Sequence, residues 1–413
     1  MIPHTKSTSA RIRTRFALAT AATVAVVSGV AVGTQVSDAA TGPPSHTSRV
    51  TAQRDADALL KFGTPGVLVG LDSRDGDVRV RSGVGNRTTR TPVPWEAKFR
   101  IGSFTKTFVA TTLLQLVGEG RLTLDDTVDH WLPGVVAGNG NDGSKITVRQ
   151  LLQHTSGLAD YTHVIPWLGD KTKFLAERKT TMTPREAMAL AMRSAPQFPP
   201  GTSWNYSNTN YMLAGLIIEA VTGRAWQDEV RDRVITPLGL RHTILPGTDP
   251  DIPGPHAVGY ERFPGKGATA EDPRYGKQID ATRQNVSWGG PAGEIISTID
   301  DSNRFLRALV SGRLLAPAQL AEMQRTVPTN AGFRKNWPGA RYGLGIMRIP
   351  TPCGISWSHG GDIMGFMTRN AVSADGTRSV VVSMNTDSPK RKPGVAAPKR
   401  DVTLRLINHA LCG

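Results

Sequence analysis

The segment that indicates the fold most directly is FRIGSFTKTFVATTLLQLVGEG, residues 99–120. From Ser103 onwards its apolar side chains recur at intervals of three and four residues until glycines close the run, a spacing typical of a helix. Ser103 therefore lies at or near a helix N-terminus. Lys106 follows three residues later, so the two side chains share one face of that helix.

Strand patterns lie toward both ends of the chain. Before the helix, an apolar run at 67–71 and an alternating segment at 78–84 flank a turn and predict an antiparallel hairpin. Near the C-terminus, short β-rich runs occur at 354–358, 366–373 and 379–385. Between these ends, helical patterns separated by proline and glycine occur at 148–154, 184–192, 208–221, 226–235 and 300–310.

This distribution predicts an α+β fold. An antiparallel sheet is built from both chain ends and flanked by helices, and a mostly helical subdomain is inserted at about residues 111–284. A further helical pattern at residues 50–62 precedes the first strand.

The first 39 residues have the pattern of a secretory signal peptide. Four basic residues precede a charge-free run at 16–35, and small residues follow at 37–40. An uncleaved membrane anchor is the alternative, but the run is rich in Thr, Gly and Ala and therefore only weakly hydrophobic. We predict a cleaved signal at residues 1–39, a polar linker at 40–48 and a single folded domain at 49–413, which gives a secreted protein with no stable membrane insertion.

Composition is ordinary for a globular protein, but the charge is not. Hydrophobic residues make up 39% of the chain and charged residues 20%, while the formal net charge is +15. A basic protein outside the cell is expected to adsorb to anionic polymers such as those of a cell wall, although a merely soluble basic surface explains the charge equally well. The charges are scattered, without a basic helix or an aromatic-basic motif, so no nucleic-acid partner is predicted.

The two cysteines, Cys353 and Cys412, are predicted to form a disulfide because an exported protein folds in an oxidising compartment. Such a bond would pin a C-terminal helix, since helical spacing just before Cys412 relates Val402, Leu406, His409 and Ala410. No HExxH or CxxC pattern accompanies the nine scattered histidines, and we predict neither a metal site nor a cofactor.

The Ser103 and Lys106 pair can carry nucleophilic chemistry. A serine hydroxyl attacks well only when a base removes its proton, and a lysine can be that base if burial or a nearby positive charge lowers its pKa. Unpaired N–H groups at the helix N-terminus would stabilise negative charge that develops beside the serine. The spacing alone is weak evidence, because a chain of this length contains about one Ser-x-x-Lys by chance.

Two further motifs change this assessment. Tyr206 and Asn208 lie in PGTSWNYSNTNYMLAG, where a loop enters a helix and can present a phenol and an amide to a cleft. His359, Gly360 and Gly361 lie where a strand ends, and the glycines let a substrate approach the backbone. Taken singly, the first motif is more often a helix cap and the second is expected about once by chance.

The ordered set SFTK, YSN and HGG, together with ITVRQLLQHTSGL, PLGL and HGGDIMGF, resembles the penicillin-recognising serine hydrolases. That family contains class C β-lactamases, serine D-Ala-D-Ala carboxypeptidases, D-aminopeptidases and related esterases. The similarity runs from about residue 50 to the C-terminus, and no Gly-x-Ser-x-Gly elbow points to an α/β-hydrolase instead. The resemblance implies a β-lactamase/transpeptidase-like fold, with a serine hydrolase domain at residues 49–413.

The resemblance also implies a role for each motif residue. Ser103 would be the acylated nucleophile, and Lys106 its proton acceptor or the group that keeps Tyr206 basic. Tyr206 would pass the proton to the leaving group and later activate water, while Asn208 would hold the substrate amide and help to orient Lys106. His359 stands in place of the lysine often found in the third motif.

The third motif also bears on the substrate. The oxyanion hole would be the backbone N–H groups of Ser103 and of Asp362, which follows Gly360 and Gly361. Carboxypeptidases that clamp a free substrate carboxylate usually carry hydroxyl residues at the positions of Gly360 and Asp362. An aspartate there repels a carboxylate unless its side chain turns away or an arginine compensates.

Three hypotheses for function follow. The first is a secreted serine hydrolase acting through an acyl-enzyme, a D-alanyl-D-alanine carboxypeptidase or β-lactamase-like enzyme on cell-wall peptides or related amides. The second keeps the catalysis and makes the chain an esterase or a D-aminopeptidase. The third is a non-catalytic cell-wall-binding protein on the same scaffold. The first two expect a monomer that takes a small peptide, amide or ester substrate.

Overall fold

The computed structural model describes residues 46–74, 76–269 and 274–413. The predicted signal peptide and most of the predicted linker lie outside the described residues, so both stay predictions. The first helix begins at His46, earlier than expected, and so takes in the last residues assigned to the linker. Within the described ranges, no helix combines the length and the apolar character needed to cross a membrane.

Helices account for most of the middle of the chain. In the described residues, the α-helices are α1 (His46–Leu59), α2 (Thr105–Gly118), α3 (Val128–Trp131), α4 (Val148–Gln153), α5 (Lys171–Glu177), α6 (Pro184–Ala191), α7 (Thr209–Thr222), α8 (Trp226–Val230), α9 (Thr236–Leu238), α10 (Gly290–Gly293), α11 (Ile299–Val310), α12 (Pro317–Gln324), α13 (Ala331–Asn336) and α14 (Leu404–Cys412). Short 3₁₀ turns span Leu60–Phe62, Gly102–Phe104, Gly143–Lys145 and Tyr161–Val164, and a π-helical turn spans Arg231–Ile235.

Longer strands lie toward the two ends, and those in between are two-residue ladders. The strands of the described residues are β1 (Gly66–Asp72), β2 (Val78–Gly83), β3 (Phe99–Arg100), β4 (Ala137–Gly138), β5 (Asn141–Asp142), β6 (Tyr260–Glu261), β7 (Ile279–Asp280), β8 (Ile296–Ser297), β9 (Val327–Pro328), β10 (Arg341–Tyr342), β11 (Met347–Thr351), β12 (Gly354–Ser358), β13 (Gly361–Ile363), β14 (Phe366–Ser373) and β15 (Ser379–Met384).

The largest sheet joins the two ends of the chain. Within the described residues its nine strands run in the order β2-β1-β15-β14-β12-β11-β10-β9, with β13 paired to β14. Every pairing is antiparallel. The N-terminal hairpin attaches through β1 to β15, the last strand of the chain. The predicted α+β fold is confirmed, including the sheet built from both chain ends.

Helices cover both faces of this sheet. In β15, Val380 and Val382 pack with α1 and α14 on one face, whereas Val381 belongs to the core on the opposite face with α11. This alternation follows from the two-residue period of a strand. Every residue of β15 is buried, as expected for a strand whose two faces are both covered.

The mostly helical region between β2 and β9 carries the SFTK and YSN motifs, and the HGG motif between β12 and β13 lies beside them. α2 packs against α7, and β13 packs against the 3₁₀ turn Gly102–Phe104 that leads into α2. The β3–β8 ladder ties the segment before this turn to the segment before α11. α2 is buried on nearly all sides, so a lysine in its first turn is removed from water.

The predicted disulfide between Cys353 and Cys412 is present. It ties the turn between β11 and β12 to the end of α14, with the two Cα atoms 5.5 Å apart. The apolar face expected for the C-terminal helix was only partly right. Leu406 and Ile407 are buried in α14, whereas Val402 precedes the helix.

Candidate active site

Ser103 occupies the 3₁₀ turn Gly102–Phe104, which leads directly into α2. Gly102 has a φ of +53°, in the left-handed region where glycine is favoured, and this sharp entry turns the chain into the helix. Ser103 is half-buried. Because it lies in the first turn, its backbone N–H has no acceptor within its own helix and is available to another group.

β13 lies directly against this turn. A Cβ on Gly361 would lie 1.9 Å from the Ile101 carbonyl oxygen and 2.7 Å from the Ser103 nitrogen, so only glycine allows the approach. From the other side, a Cβ on Gly102 would lie 2.9 Å from the Asp362 nitrogen. The two N–H groups expected to form an oxyanion hole, those of Ser103 and Asp362, therefore belong to segments in close contact.

Lys106 is completely buried in the first turn of α2. Its Nζ lies 3.0 Å from Ser103 Oγ, 2.7 Å from Asn208 Oδ1 and 2.7 Å from the Ala292 carbonyl oxygen. Burial lowers the pKa of Lys106 to about 7, and the negative charge of Asp160 opposes that shift. The amine is therefore neutral in a large fraction of molecules near neutral pH.

These contacts suit a neutral amine. A neutral amine has two N–H groups and one lone pair, and the amide and carbonyl oxygens at 2.7 Å can only accept. The lone pair is then left for the Ser103 hydroxyl, which would donate to it. In this state Lys106 can remove the serine proton.

Tyr206 brings a phenol to the same place. Burial raises the pKa of Tyr206 well above its usual value, and the nearby Ser103 hydroxyl opposes that rise. Within the described residues, no atom meets the buried Tyr206 hydroxyl at full hydrogen-bonding geometry, so its approach to Ser103 is close but not a well-formed bond. The Lys106 Nζ lies 4.9 Å from the centroid of the ring. Tyr206 is a neutral phenol here, able to give a proton.

His359 follows β12 and is buried beside these groups. Its Nε2 lies 2.8 Å from the Tyr342 hydroxyl, and its Nδ1 lies 2.7 Å from the Gly360 carbonyl oxygen. Because a carbonyl oxygen can only accept, Nδ1 carries the proton and Tyr342 donates to Nε2. Burial, aided by the nearby charge of Lys106, lowers the pKa of His359 to about 3. The imidazole is therefore neutral.

The Asn208 amide is held on both sides. Its Oδ1 accepts from Lys106, and its Nδ2 donates to Asp160 Oδ2 at 2.8 Å. The backbone N–H of Asn208 donates to the same Asp160 oxygen at 3.1 Å. Asp160 lies in the loop after α4 and is only 7% exposed. This carboxylate therefore fixes which way the amide faces.

Asp362 directs its carboxylate toward an arginine. Arg369 Nη1 lies 2.7 Å from Asp362 Oδ1, and Arg369 Nε lies 2.9 Å from Asp401 Oδ2. Burial by itself would lower the pKa of Arg369, but the two carboxylates raise it. The Asp362 side chain is 51% exposed, whereas that of Arg369 is 10% exposed. The single guanidinium of Arg369 is therefore paired with two carboxylates of this chain.

The predicted residues of all three motifs meet at one site. The structure brings together Ser103, Lys106, Tyr206, Asn208, His359, Gly360, Gly361 and Asp362. Their catalytic roles stay predictions.

The sequence patterns missed several supporting groups: Asp160, the Ala292 carbonyl, Tyr342 and Asn370, whose side chain bonds both backbone groups of His359. A signal existed for Asp160 alone. It closely follows the segment ITVRQLLQHTSGL, which the resemblance had already drawn attention to.

The family model described as Beta-lactamase matches residues 50–404. The chain belongs to the β-lactamase family. The resemblance inferred from the SFTK, YSN and HGG motifs is thereby confirmed, and it covers almost the whole described part of this β-lactamase-family chain.

Individual similar proteins are hydrolases and penicillin-binding proteins. A D-stereospecific amidohydrolase from Streptomyces sp. has a TM-score of 0.77 and 38% identity, over 88% of this chain and 98% of that one. Penicillin-binding protein 4 of Amycolatopsis lactamdurans is 32% identical over 66% of this chain and 67% of the relative. A D-aminopeptidase of Cereibacter sphaeroides is 29% identical over 81% of this chain. This β-lactamase-family chain spans only 60% of that D-aminopeptidase's length.

Proposed function

We propose that this chain is an exported serine hydrolase that cleaves amides and short peptides of D-amino acids through an acyl-enzyme on Ser103. The substrate class is supported by two similar proteins, a D-stereospecific amidohydrolase and a D-aminopeptidase. The reaction needs no cofactor, because the nucleophile, the base and the oxyanion donors are all groups of this chain.

In the proposed acylation step, neutral Lys106 takes the Ser103 proton as the serine oxygen attacks the amide carbon. Negative charge develops on the substrate oxygen, beside the N–H groups of Ser103 and Asp362. Tyr206 gives a proton to the leaving nitrogen as the C–N bond breaks, and protonated Lys106 restores the proton of Tyr206. Water then attacks the acyl-enzyme with the same groups in reverse roles.

The pKa directions support Lys106 rather than Tyr206 as the base. A general base must be deprotonated at the working pH. Burial lowers the pKa of Lys106 to about 7, whereas burial raises that of Tyr206 well above its usual value. Near neutral pH the amine can accept a proton and the phenol can only give one.

The observation that carries the choice of substrate is the Asp362–Arg369–Asp401 set. A carboxypeptidase must bind the free carboxylate at the end of its substrate. This requires an unpaired cation or hydroxyl groups beside β13, the strand that contains Asp362. Here Arg369 pairs with Asp362 and offsets part of its negative charge, but Asp401 shares the same guanidinium, so two carboxylates outweigh one cation. A substrate without a negative charge on its leaving group fits this arrangement better.

The D-alanyl-D-alanine carboxypeptidase or β-lactamase-like hypothesis is the second candidate. It is favoured by the penicillin-binding protein among the similar proteins. It predicts that a penicillin acylates Ser103. An esterase remains the third candidate, because the same serine nucleophile cleaves an ester more easily than an amide.

A substrate panel tests the proposal. Purified protein and Ser103→Ala are assayed with D-phenylalanine amide, L-phenylalanine amide, an acetylated peptide ending in D-Ala-D-Ala, p-nitrophenyl acetate and benzylpenicillin. We expect kcat/KM for the D-amide to exceed that for the L-amide and the D-Ala-D-Ala peptide by at least about 10-fold. Preference for the D-Ala-D-Ala peptide would favour the carboxypeptidase, and no turnover of any substrate would favour the non-catalytic binder.

Export is a separate part of the proposal. It is supported by the N-terminal pattern and by the disulfide between Cys353 and Cys412, a bond typical of oxidising compartments. N-terminal sequencing of protein from the culture medium or cell wall should find a start close to residue 40. Salt-sensitive binding to anionic wall polymers is the matching expectation for the cleaved chain, whose net charge falls from +15 to +12 because residues 1–39 hold four basic groups and one acidic group. The monomeric state stays a prediction for size-exclusion chromatography.

A further inference from the structure

The carboxylate of Asp160 serves two sets of donors, one with each oxygen. Oδ1 accepts from the Thr162 backbone N–H at 2.9 Å and from Thr162 Oγ1 at 2.8 Å. Oδ2 accepts from the backbone N–H and the Nδ2 group of Asn208, at 3.1 and 2.8 Å. Every neighbour donates and none accepts, so an ionised carboxylate satisfies all four contacts, and an amide in its place would not.

The second oxygen decides how the Asn208 amide is turned. The amide has one accepting oxygen and one donating NH₂ group, on opposite sides. With the NH₂ group bound to Asp160, the oxygen must face Lys106, whose Nζ lies 2.7 Å away. The reverse orientation would set a carbonyl oxygen against a carboxylate and two donors against each other.

That orientation in turn fixes the lone pair of Lys106. The amide oxygen of Asn208 and the Ala292 carbonyl oxygen take up the two N–H groups of a neutral amine. The remaining direction is the one that leads to Ser103 Oγ, 3.0 Å away. If the Asn208 oxygen turned away, an N–H group of Lys106 would be free to rotate toward Ser103 and the lone pair would no longer be aimed.

We propose that Asp160 is a positioning residue, which acts through the Asn208 amide to aim the Lys106 lone pair at the nucleophile. The inference rests on the acyl-enzyme mechanism of the proposed function but not on its substrate. Asp160 also adds a negative charge near the buried amine and thereby opposes the fall in the pKa of Lys106 that burial causes. The Asp160 carboxylate thus affects Lys106 in two ways: it orients the lone pair, and it keeps the pKa higher than burial alone would.

The test needs a readout that does not depend on the true substrate. A fluorophosphonate probe reacts with an activated serine: the serine oxygen bonds to phosphorus, fluoride leaves and the base receives the serine proton. The rate of labelling of Ser103, followed by intact mass on the full chain from about pH 5 to about pH 9, reports nucleophile activation directly. The titratable or aromatic groups that face Lys106 are Asp160, His154, His359, Tyr206 and Tyr211.

For Asp160→Asn we expect labelling at the optimum pH to fall about 100-fold, the cost of a misaligned reacting group. We also expect the rising limb of the pH profile to move to lower pH, because the charge that raised the pKa of Lys106 is gone. Loosened packing alone would admit water and leave the limb in place or raise it. A wild-type rate, or a slower rate with no downward shift, overturns the proposal.

Asp142→Asn is the matched control. Asp142 Oδ1 accepts from the backbone N–H and hydroxyl of Ser144, at 3.0 and 2.6 Å, as Asp160 does from Thr162. Its side chain is 41% exposed, and its other oxygen pairs with Lys145 rather than with an active-site group. Labelling of this variant should match the wild type. If it were slowed as much as Asp160→Asn, a general loss of turn structure would explain both and the proposal would fail.

Asp160→Glu separates position from charge and serves if Asp160→Asn does not fold. It keeps the negative charge but displaces both oxygens by one methylene group. We expect slower labelling with the pH limb close to that of the wild type. A wild-type labelling rate in this variant would contradict a positioning role. Failure of the D-amide panel with normal labelling would count against the proposed substrate and leave this inference standing.

Discussion

At the scale of the residue, the proposed chemistry depends on the burial of Lys106. An exposed lysine is protonated at neutral pH and cannot act as a base. Here burial lowers the pKa of Lys106 to about 7, while the partners of its N–H groups are supplied by Asn208 and Ala292. In the proposed mechanism the active form of Lys106 is the neutral amine, which is depleted below the pKa and fully populated above it.

We therefore expect the rate of acylation to rise with pH through about 7 and then to level off, in step with the deprotonation of Lys106. Lys106→Arg should lose about 1,000-fold in kcat/KM, because a guanidinium is never deprotonated in a protein. Lys145→Arg, at a lysine whose side chain is 72% exposed, is the control and should behave as the wild type. A pH-independent rate from about pH 5 to about pH 9 would exclude Lys106 as the base.

Glu294 gives a second prediction, for stability. This side chain is 1% exposed, and burial raises its pKa to about 8, above the value of an unfolded chain. The folded state thus holds the proton more tightly, so the contribution of Glu294 to stability is greatest below about pH 4.5 and falls as the pH rises toward 8. Glu294→Gln, which removes this titration, should unfold at nearly the wild-type temperature at acidic pH.

At about pH 8 the same variant should be more stable than the wild type, on the order of 4 kcal/mol in the free energy of unfolding. Thermal unfolding of both proteins across this pH range measures the difference. A gap between them that does not change with pH would show that Glu294 is ionised in the folded protein.

The sequence predicts site residues that lie together in a short motif. It does not predict those whose contact partner is distant along the chain. Ser103 and Lys106 are neighbours on one helix, so their spacing indicates a contact. Asp160 and Asn208 are separated by 48 positions, and an aspartate before a turn is usually only a cap. Asp160 is such a cap through one oxygen, which hides the second role of the other.

At the scale of the element, the strand β13 determines the geometry around Ser103 although it is only three residues long. Its Gly361 lies so close to the Ser103 turn that a Cβ would meet Ile101 O at 1.9 Å and Ser103 N at 2.7 Å. The strand brings the Asp362 N–H close to the Ser103 turn. Any side chain at Gly361 must push the two segments apart.

Gly361→Ala is expected to lower kcat about 100-fold with a smaller change in KM, because oxyanion stabilisation is lost in the transition state. Gly169→Ala is the control, since a Cβ there meets nothing within 4 Å and the residue has no positive φ. Steady-state kinetics with the best substrate of the panel measures both. Wild-type kcat in Gly361→Ala would mean that β13 does not supply an oxyanion donor.

The strands found by sequence were those with an uninterrupted pattern. The hairpin β1–β2 and the pair β14–β15 alternate or run apolar, and the observed bounds agree closely with the expected ones. β11 was missed because Pro350 interrupts MRIPT, and proline usually argues against a paired strand. β13 is three residues long and glycine-led, which is too short for any period to appear.

At the scale of the whole molecule, both ends of the chain build one sheet. This explains why a covalent bond that holds the C-terminus stabilises the fold. β15 lies between β1 and β14, and α14 packs against the same sheet after a long loop. The disulfide fixes α14 to the β11–β12 turn, at a sequence separation of 59. Closing a loop of that length restricts the unfolded chain by about 4 kcal/mol in the loop-entropy account.

Replacing both Cys353 and Cys412 with serine should therefore lower the unfolding temperature measurably, by an amount corresponding to a few kcal/mol. Activity well below that temperature should stay within about twofold of the wild type, because the disulfide is at the opposite end of β12 from His359. Differential scanning calorimetry without reductant, and with reductant on the wild type, measures the effect. An unchanged unfolding temperature would contradict a stabilising role for the disulfide.

The overall class was predictable because strands at both ends and helices between them allow few arrangements. The order of the strands was not, since antiparallel neighbours such as β12 and β14 are chosen by packing that no local pattern encodes. The site followed the same rule: motifs indicated which residues meet, whereas the sharing of Arg369 between Asp362 and Asp401 required the folded chain.

The central claim, an acyl-enzyme on Ser103, is tested most directly by mass spectrometry. Protein mixed with D-phenylalanine amide is quenched in acid within milliseconds to seconds, and intact mass and peptide mapping follow, with Ser103→Ala alongside. The account predicts a D-phenylalanyl adduct on the peptide that contains Ser103, absent from the variant, which should also be inactive. Hydrolysis by Ser103→Ala at the wild-type rate, or an adduct on another residue, would contradict it.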